Sequence, residues 1–175
     1  MDYTIREFRD IDPFRIYELV NDVYTTSDWM SESFEEKFPT YASFEQFVEE
    51  LIRRGGIALI AELSGELYGY LTIMPRYQSK LRHTSELNMG VHHTARGKGI
   101  GGLLLREALR QAGEASDLEI IYLMVRSDNL GAVRLYEKMG FDHLATLKRD
   151  TKTHEGYYDG LLMRKFINRY WVPGV

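Results

Sequence analysis

Val91-His92-His93-Thr94-Ala95-Arg96-Gly97-Lys98-Gly99-Ile100-Gly101-Gly102-Leu103 is the stretch on which the reading of this chain turns. A strand-like run, Glu86–Val91, leads into it. From Ile100 the pattern becomes helical, with Ile100, Leu103, Leu104, Ala108, Leu109 and Ala112 on one face. A strand therefore passes through a glycine-rich turn into an amphipathic helix. Glycine lets a backbone approach a ligand closely and adopt positive φ. The first turn of a helix offers unpaired N–H groups and the positive end of the macrodipole. With Arg96 and Lys98 adding cationic charge, these features predict a pyrophosphate site.

Other pyrophosphate loops fit less well. Gly97, Gly99 and Gly102 satisfy the spacing of a dinucleotide fingerprint, and Glu119 lies 20 residues beyond Gly99. In that motif, however, the acid ends its strand, whereas Glu119 precedes the apolar run Ile120–Val125. Upstream lies an antiparallel hairpin, not a βαβ unit. A Walker loop requires Ser or Thr after the lysine, and Gly99 follows Lys98 here.

Working outward, Tyr3–Phe8 reads as a strand, and Asp12-Pro13 as the capped start of a helix to about Tyr24. Residues 25–42 read as irregular. Ser43-Phe44-Glu45-Gln46 has capping-box spacing and predicts a second helix to about Arg54, closed by Gly55-Gly56. Ile57–Leu63 and Leu67–Met74 form a hairpin across Ser64-Gly65-Glu66. Ile120–Val125 has the continuous apolar character of a central strand covered on both faces. A helix over Asn129–Met139 ends at Gly140, and two strands, Phe141–Arg149 and Tyr157–Phe166, follow. The expected architecture is one mixed α/β domain over residues 1–175.

Composition sets the outer limits. Apolar residues make up 44% and charged residues 27% of the 175, as in folded globular chains. There is no cysteine, so neither a disulfide framework nor an acyl-cysteine intermediate is available. No signal-peptide pattern opens the sequence and no apolar run is long enough to span a membrane, so a cytoplasmic protein without membrane contacts is expected. Nine acids and one base between Glu18 and Glu50 give that segment −8, against −4 for the whole chain, leaving +4 elsewhere. This split argues against nucleic acid as a partner of the N-terminal part. Its negative potential favours a cationic ligand, with Trp29, Phe34 and Tyr41 as aromatic walls of the site. Five histidines with no cysteine and no helical histidine pair predict no metal site.

Arg96-Gly97-Lys98-Gly99-Ile100-Gly101 resembles the Arg/Gln-x-x-Gly-x-Gly/Ala signature of the GNAT superfamily of N-acetyltransferases. Asn129-Leu130-Gly131-Ala132-Val133-Arg134-Leu135-Tyr136-Glu137-Lys138-Met139-Gly140-Phe141 is similar to that family's Asn-x-x-Ala-x-x-Leu-Tyr-x-x-x-Gly-Phe segment, at the usual distance downstream. The likeness spans about Ile57 to Phe166, and Glu155–Met163 looks like the last strand of the amino-acid and phosphinothricin-type branches. The resemblance implies an acyl-CoA N-acyltransferase fold, with a mixed, mostly antiparallel central sheet flanked by helices, and acetyl-CoA as co-substrate. It implies transfer of acetyl to a primary amine of a small molecule by direct attack in a ternary complex. A peptide or protein N-terminus as acceptor, a non-catalytic acyl-CoA sensor and a homodimer stay open.

The resemblance also assigns residues. Arg96, Gly97, Lys98, Gly99, Ile100, Gly101 and Gly102 would hold the pyrophosphate. Met89, Gly90 and Val91 would pair with the pantetheine arm like an added strand, next to a bulge at Asn88 or Gly90. Asn129 and Ala132 begin the second motif, and Asn129 can either cap its helix or bind the pantetheine. Asn129 and Tyr136, seven residues apart, share a helix face. Tyr136 is either a core aromatic or the group beside the thioester sulfur. An ordinary tyrosine is a weaker acid than a thiol, so full proton transfer to the leaving thiolate is uphill by about 2 kcal/mol, whereas a hydrogen bond to it is not. Glu86 is the candidate base, acting through water, or else an exposed strand-end acid. The pair His92-His93 is the alternative base; on a strand, at most one of the two would face the site.

Overall fold

A computed structural model describes residues 2–115 and 117–167. Its element order is β1 (Thr4–Glu7), α1 (Pro13–Thr25), α2 (Phe34–Lys37), α3 (Tyr41–Arg53), β2 (Ile57–Leu63), β3 (Glu66–Pro75), β4 (Thr84–Val91), α4 (Ile100–Ala115), β5 (Ile120–Arg126), α5 (Leu130–Lys138), β6 (Asp142–Thr153) and β7 (Gly156–Phe166). The strands form one seven-stranded sheet in the order β1-β2-β3-β4-β5-β7-β6. Every neighbouring pair is antiparallel except β4 and β5. The mixed, mostly antiparallel sheet expected from the sequence is therefore the one observed.

Two cores cover the two faces. Leu59, Leu71, Ile73 and Leu87 pack against Ile100, Leu104, Leu105 and Ala108 of α4 on one side. Ile60 and Tyr70, one position out of phase on the same strands, pack against Ile16, Leu19, Val20 and Val23 of α1 and Phe44 of α3 on the other. The period-2 alternation of a strand sends neighbouring residues to opposite faces, and both faces are apolar at β2 and β3, where both are covered. The cover on both faces expected for Ile120–Val125 is not found: Ile121, Leu123 and Val125 are buried, but Met124 on the other face is exposed.

Local chemistry shifts some boundaries. Thr40, not Ser43, caps α3: Ser43 N–H donates to Thr40 Oγ1 at 3.1 Å, and Thr40 N–H donates back to Ser43 Oγ at 3.2 Å. Segment 25–42 is not wholly irregular, because Ser33 and Glu36 close a capping box around α2. Strand β6 runs past Arg149. That residue takes φ +57° where the register with β7 shifts, and its N–H donates to Asp159 Oδ1 at 2.9 Å before pairing resumes at Thr151.

The fold's main consequence for ligand binding lies between β4 and β5. Their pairing covers only Thr84–Glu86 against Ile120–Tyr122, reinforced by Ser85 Oγ donating to Ile120 O at 3.1 Å. Beyond Glu86 the strands diverge. The expected bulge at Asn88 or Gly90 is absent, since β4 keeps continuous register with β3 from Ser85 to Val91. The fork opens without it.

Gly90 serves close packing instead. A Cβ there would lie 2.5 Å from Val23 Cγ1 and 2.8 Å from Tyr70 Cε1. We expect Gly90→Ala to cost about 1–3 kcal/mol through overpacking. A lowered denaturant midpoint with an unchanged slope would confirm it; an unchanged midpoint would show that α1 yields freely.

Candidate acetyl-CoA and acceptor sites

The fork between β4 and β5 is the inner wall of a cleft of about 690 Å³. Met89, Gly90 and Val91 line it from one strand, and Met124, Val125 and Arg126 from the other. Of the residues assigned to the cofactor by resemblance, the cleft also brings together Arg96, Gly97, Gly99, Ile100, Gly101, Gly102, Asn129, Ala132 and Tyr136. Lys98 is exposed and does not line it.

The glycine loop is shaped as its sequence suggests. Gly97 and Gly99 have φ +76° and +82°, and a Cβ on either would meet nothing within 4 Å, so the need for glycine there is conformational. Leu103 N–H closes the first helical bond onto Gly99 O at 3.1 Å. The preceding N–H groups of the α4 N-terminus have no acceptor inside the helix and open toward an anion. Arg96 acts differently from a free cation. Its Nε donates to Val91 O at 3.2 Å and its Nη2 to Thr26 O at 3.3 Å, tying the loop to β4 and to the end of α1.

Asn129 caps α5, accepting from Ala132 N–H at 3.3 Å, so its Oδ1 is committed and its amide N–H groups remain for a ligand. Tyr136 lies on the same face and is 7% exposed, with its ring edge-to-face on Phe141 at 5.7 Å. Burial pushes its hydroxyl up to about 12. Against a thiol of ordinary pKa near 8.5, complete proton transfer would then be uphill by about 5 kcal/mol.

A second cavity, of about 470 Å³, lies across β4 beneath α1 and α3. Glu86 lines this cavity and not the cleft. Tyr24 and Asn88 line both, so the two spaces meet at these residues. Asn88 Oδ1 accepts from the Tyr70 hydroxyl at 3.2 Å, and burial drives the Tyr70 pKa well up, keeping it a donor. Nothing in the sequence singled out Tyr24 or Arg126, and Asn88 was named only as a place for a bulge. Arg126 sits in the cleft with one guanidinium edge, Nε and Nη2, on the Asp128 carboxylate at 3.0 and 2.7 Å, while its Nη1 donates to Asp28 O at 2.9 Å. The shared position of Tyr24 and Asn88 arises only when α1 packs on β4.

Four of the nine acids prove to be engaged locally. Glu36 caps α2, Glu50 pairs with Arg53 and Arg54, Glu32 with Lys37, and Asp22 faces two histidines. None of the nine acids lines the second cavity, whereas Lys37, Arg54 and Arg76 do, with Glu86 as the single acid there. Phe34 and Tyr41 belong to the aromatic core around Tyr17, at ring distances of 5.0 and 5.2 Å, and do not wall a site. Trp29 does line the cleft, but its ring already faces Arg126 at 4.9 Å. The expectation about His92 and His93 also changes. His92 leaves the strand as the cap of a 3-10 turn, and both rings lie on Asp22.

Residues 23–141 match the model of the acetyltransferase (GNAT) family, and the chain belongs to that family. It is an acetyl-CoA-dependent N-acetyltransferase. Among relatives, it is 33% identical to an N-alpha-acetyltransferase of Sulfolobus acidocaldarius over 65% of this chain and 70% of that one. It is 25% identical to the L-amino acid N-acetyltransferase AaaT of Escherichia coli, over 86% of this chain and 92% of the other. A GNAT-family acetyltransferase from Streptococcus pneumoniae superposes with a TM-score of 0.85 at 28% identity, covering 94% of this chain and 99% of its own. A phosphinothricin acetyltransferase of Sinorhizobium meliloti, solved with acetyl-CoA, shares the fold with a TM-score of 0.83 at 20% identity, over 95% and 89% of the two chains. No helix among the described residues is long and apolar enough to cross a membrane.

Proposed function

We propose that this enzyme acetylates the primary amine of a small molecule that also carries an anionic group, of the amino-acid type. The observation that carries this reading is the second cavity: three cations against one acid, meeting the acetyl-CoA cleft at Tyr24 and Asn88. Lys37 and Arg54 have carboxylate partners, while Arg76 has none among the described residues and only an aromatic neighbour, Tyr122, at 5.8 Å. Arg76 is therefore the group that recognises the acceptor's anion, by the bidentate pairing guanidinium favours. The cationic acceptor suggested by the acidic run has no support in this lining.

In this reading the pyrophosphate rests on the α4 N-terminus, and the pantetheine amides pair with the open side of Leu87–Val91. The amine enters from the second cavity and attacks the thioester directly. Backbone N–H groups near Met89–Val91 stabilise the oxyanion and the Tyr136 hydroxyl the departing thiolate. Glu86, exposed at the cavity, draws the ammonium proton through water.

A panel of L-amino acids, their decarboxylated amines and short peptides, assayed by thiol release, tests the proposal. The amino acids should have higher kcat/KM than the matching amines. Arg76→Met should raise KM for amino acids by about tenfold or more, the scale of one charge-assisted hydrogen bond, and leave the amines unaffected. The likeness to an N-alpha-acetyltransferase supports a second reading, acetylation of peptide N-termini. Peptides outperforming every free amino acid would establish it in place of the first.

A further inference from the structure

Asp22, near the end of α1, His92, at the exit of β4, and His93 place three ligand atoms within 4.8 Å of one another. His92 Nε2 lies 2.8 Å and His93 Nδ1 3.9 Å from Asp22 Oδ2. The closer of these contacts has hydrogen-bond length but not hydrogen-bond direction: Asp22 Oδ2 is buried and accepts no hydrogen bond. Asp22 Oδ2 is thus a buried acceptor left without a donor beside two ring nitrogens.

The distances suit a metal shared by these atoms. With bonds of about 2.0–2.1 Å to nitrogen and oxygen, tetrahedral geometry sets ligand atoms about 3.3 Å apart. The observed pair of separations, 2.8 and 3.9 Å, brackets this value. His92 Nδ1 lies 2.7 Å from Thr94 Oγ1 and accepts from Thr94 N–H at 3.3 Å, contacts that fix the ring; a metal on Nε2 would require Nδ1 to take up the proton and donate it to that hydroxyl in place of the amide contact. The two imidazoles lie 4.4 Å apart at 32°, side by side rather than on opposite faces, because His92 caps the 3-10 turn that carries His93.

From this geometry we infer that Asp22, His92 and His93 form a site for a divalent transition metal, open at a fourth position to water. Two imidazoles and one carboxylate select zinc, cobalt or nickel over magnesium or calcium, which prefer all-oxygen sites. Counting histidines and cysteines along the chain misses the site, since its ligands come from α1 and from a turn about 70 residues later. A bound metal would fasten the end of α1 to the segment entering the glycine loop, beside the Arg96–Thr26 hydrogen bond.

The test uses the full chain without a histidine tag. Titration with zinc chloride by calorimetry should show one saturable site. Cobalt(II) should develop the intense visible bands of tetrahedral coordination, and zinc should bleach them. Asp22→Asn, His92→Gln and His93→Gln should each weaken binding by about tenfold or more, and zinc should raise the melting temperature of the native chain but not of these variants. His143→Gln, which alters a distant exposed histidine, should change nothing. No saturable binding, or binding that survives all three site variants or is lost with His143, would overturn the assignment. Circular dichroism of each variant separates loss of the site from loss of the fold.

Discussion

Replacing Tyr136 with phenylalanine should lower kcat by about two to three orders of magnitude while acetyl-CoA binds with nearly its original affinity. One donor aimed at charge that develops only in the transition state is worth about 3–4 kcal/mol in a site that excludes water. The ring's packing against Phe141 survives the change, so the fold and the ground-state complex lose only a hydroxyl. Burial raises the hydroxyl pKa to about 12, which makes Tyr136 a hydrogen-bond donor across the working pH range and a poor source of a transferred proton. Pre-steady-state thiol release together with calorimetry of acetyl-CoA binding distinguishes the roles. Equal loss of affinity and turnover would make Tyr136 a binding residue, and wild-type turnover would make it a packing residue. The raised pKa has a thermodynamic signature as well. Between about pH 10 and 12 the unfolded chain gives up this proton and the folded chain keeps it, so stability falls as pH rises through that window. The fall should be shallower in the Phe variant.

Gly99→Glu should reduce acetyl-CoA affinity by more than about a hundredfold. Two effects combine. The residue must hold φ +82°, which costs a side-chain-bearing residue about 1–2 kcal/mol. It also places an anion at the positive end of α4, where an anionic ligand is to bind. Gly99→Ala separates them, because its Cβ meets nothing within 4 Å and carries no charge. The alanine variant should lose stability by that conformational cost and retain most of its affinity. Calorimetry on both, beside thermal melts, measures the split. Glutamate and alanine variants with equal affinity would show that the loop's charge complementarity is irrelevant.

Much of the fold was legible because the signals were local. The apolar run 120–125, the helical spacing after Ile100 and the glycines at 97 and 99 each reflect a backbone requirement carried by a few neighbouring residues. The two motifs that line the larger cleft were legible for the same reason, since the glycine loop and the Asn129–Tyr136 face are each carried by one short segment. The acceptor side was not. Its character depends on which charges survive local pairing, and the sequence displays Glu32, Glu36 and Glu50 without showing that Lys37, a helix cap and two arginines consume them. Asp22 and the two histidines were opaque in the same way: a strand's alternation forbade their convergence, and the chain had already left the strand.

The divergence of β4 from β5 has a further meaning for the life of the chain in solution. Strand edges with free N–H and C=O groups are sites of aggregation, and proteins commonly blunt them with charge, proline or a covering helix. Here two such edges face each other across a fork pinned by only three registered pairs, and glycine-loop and helix residues border its mouth. Those bordering residues cover the unpaired groups much as a helix covers an edge elsewhere, so the protein keeps an adhesive edge without laying it open to its neighbours.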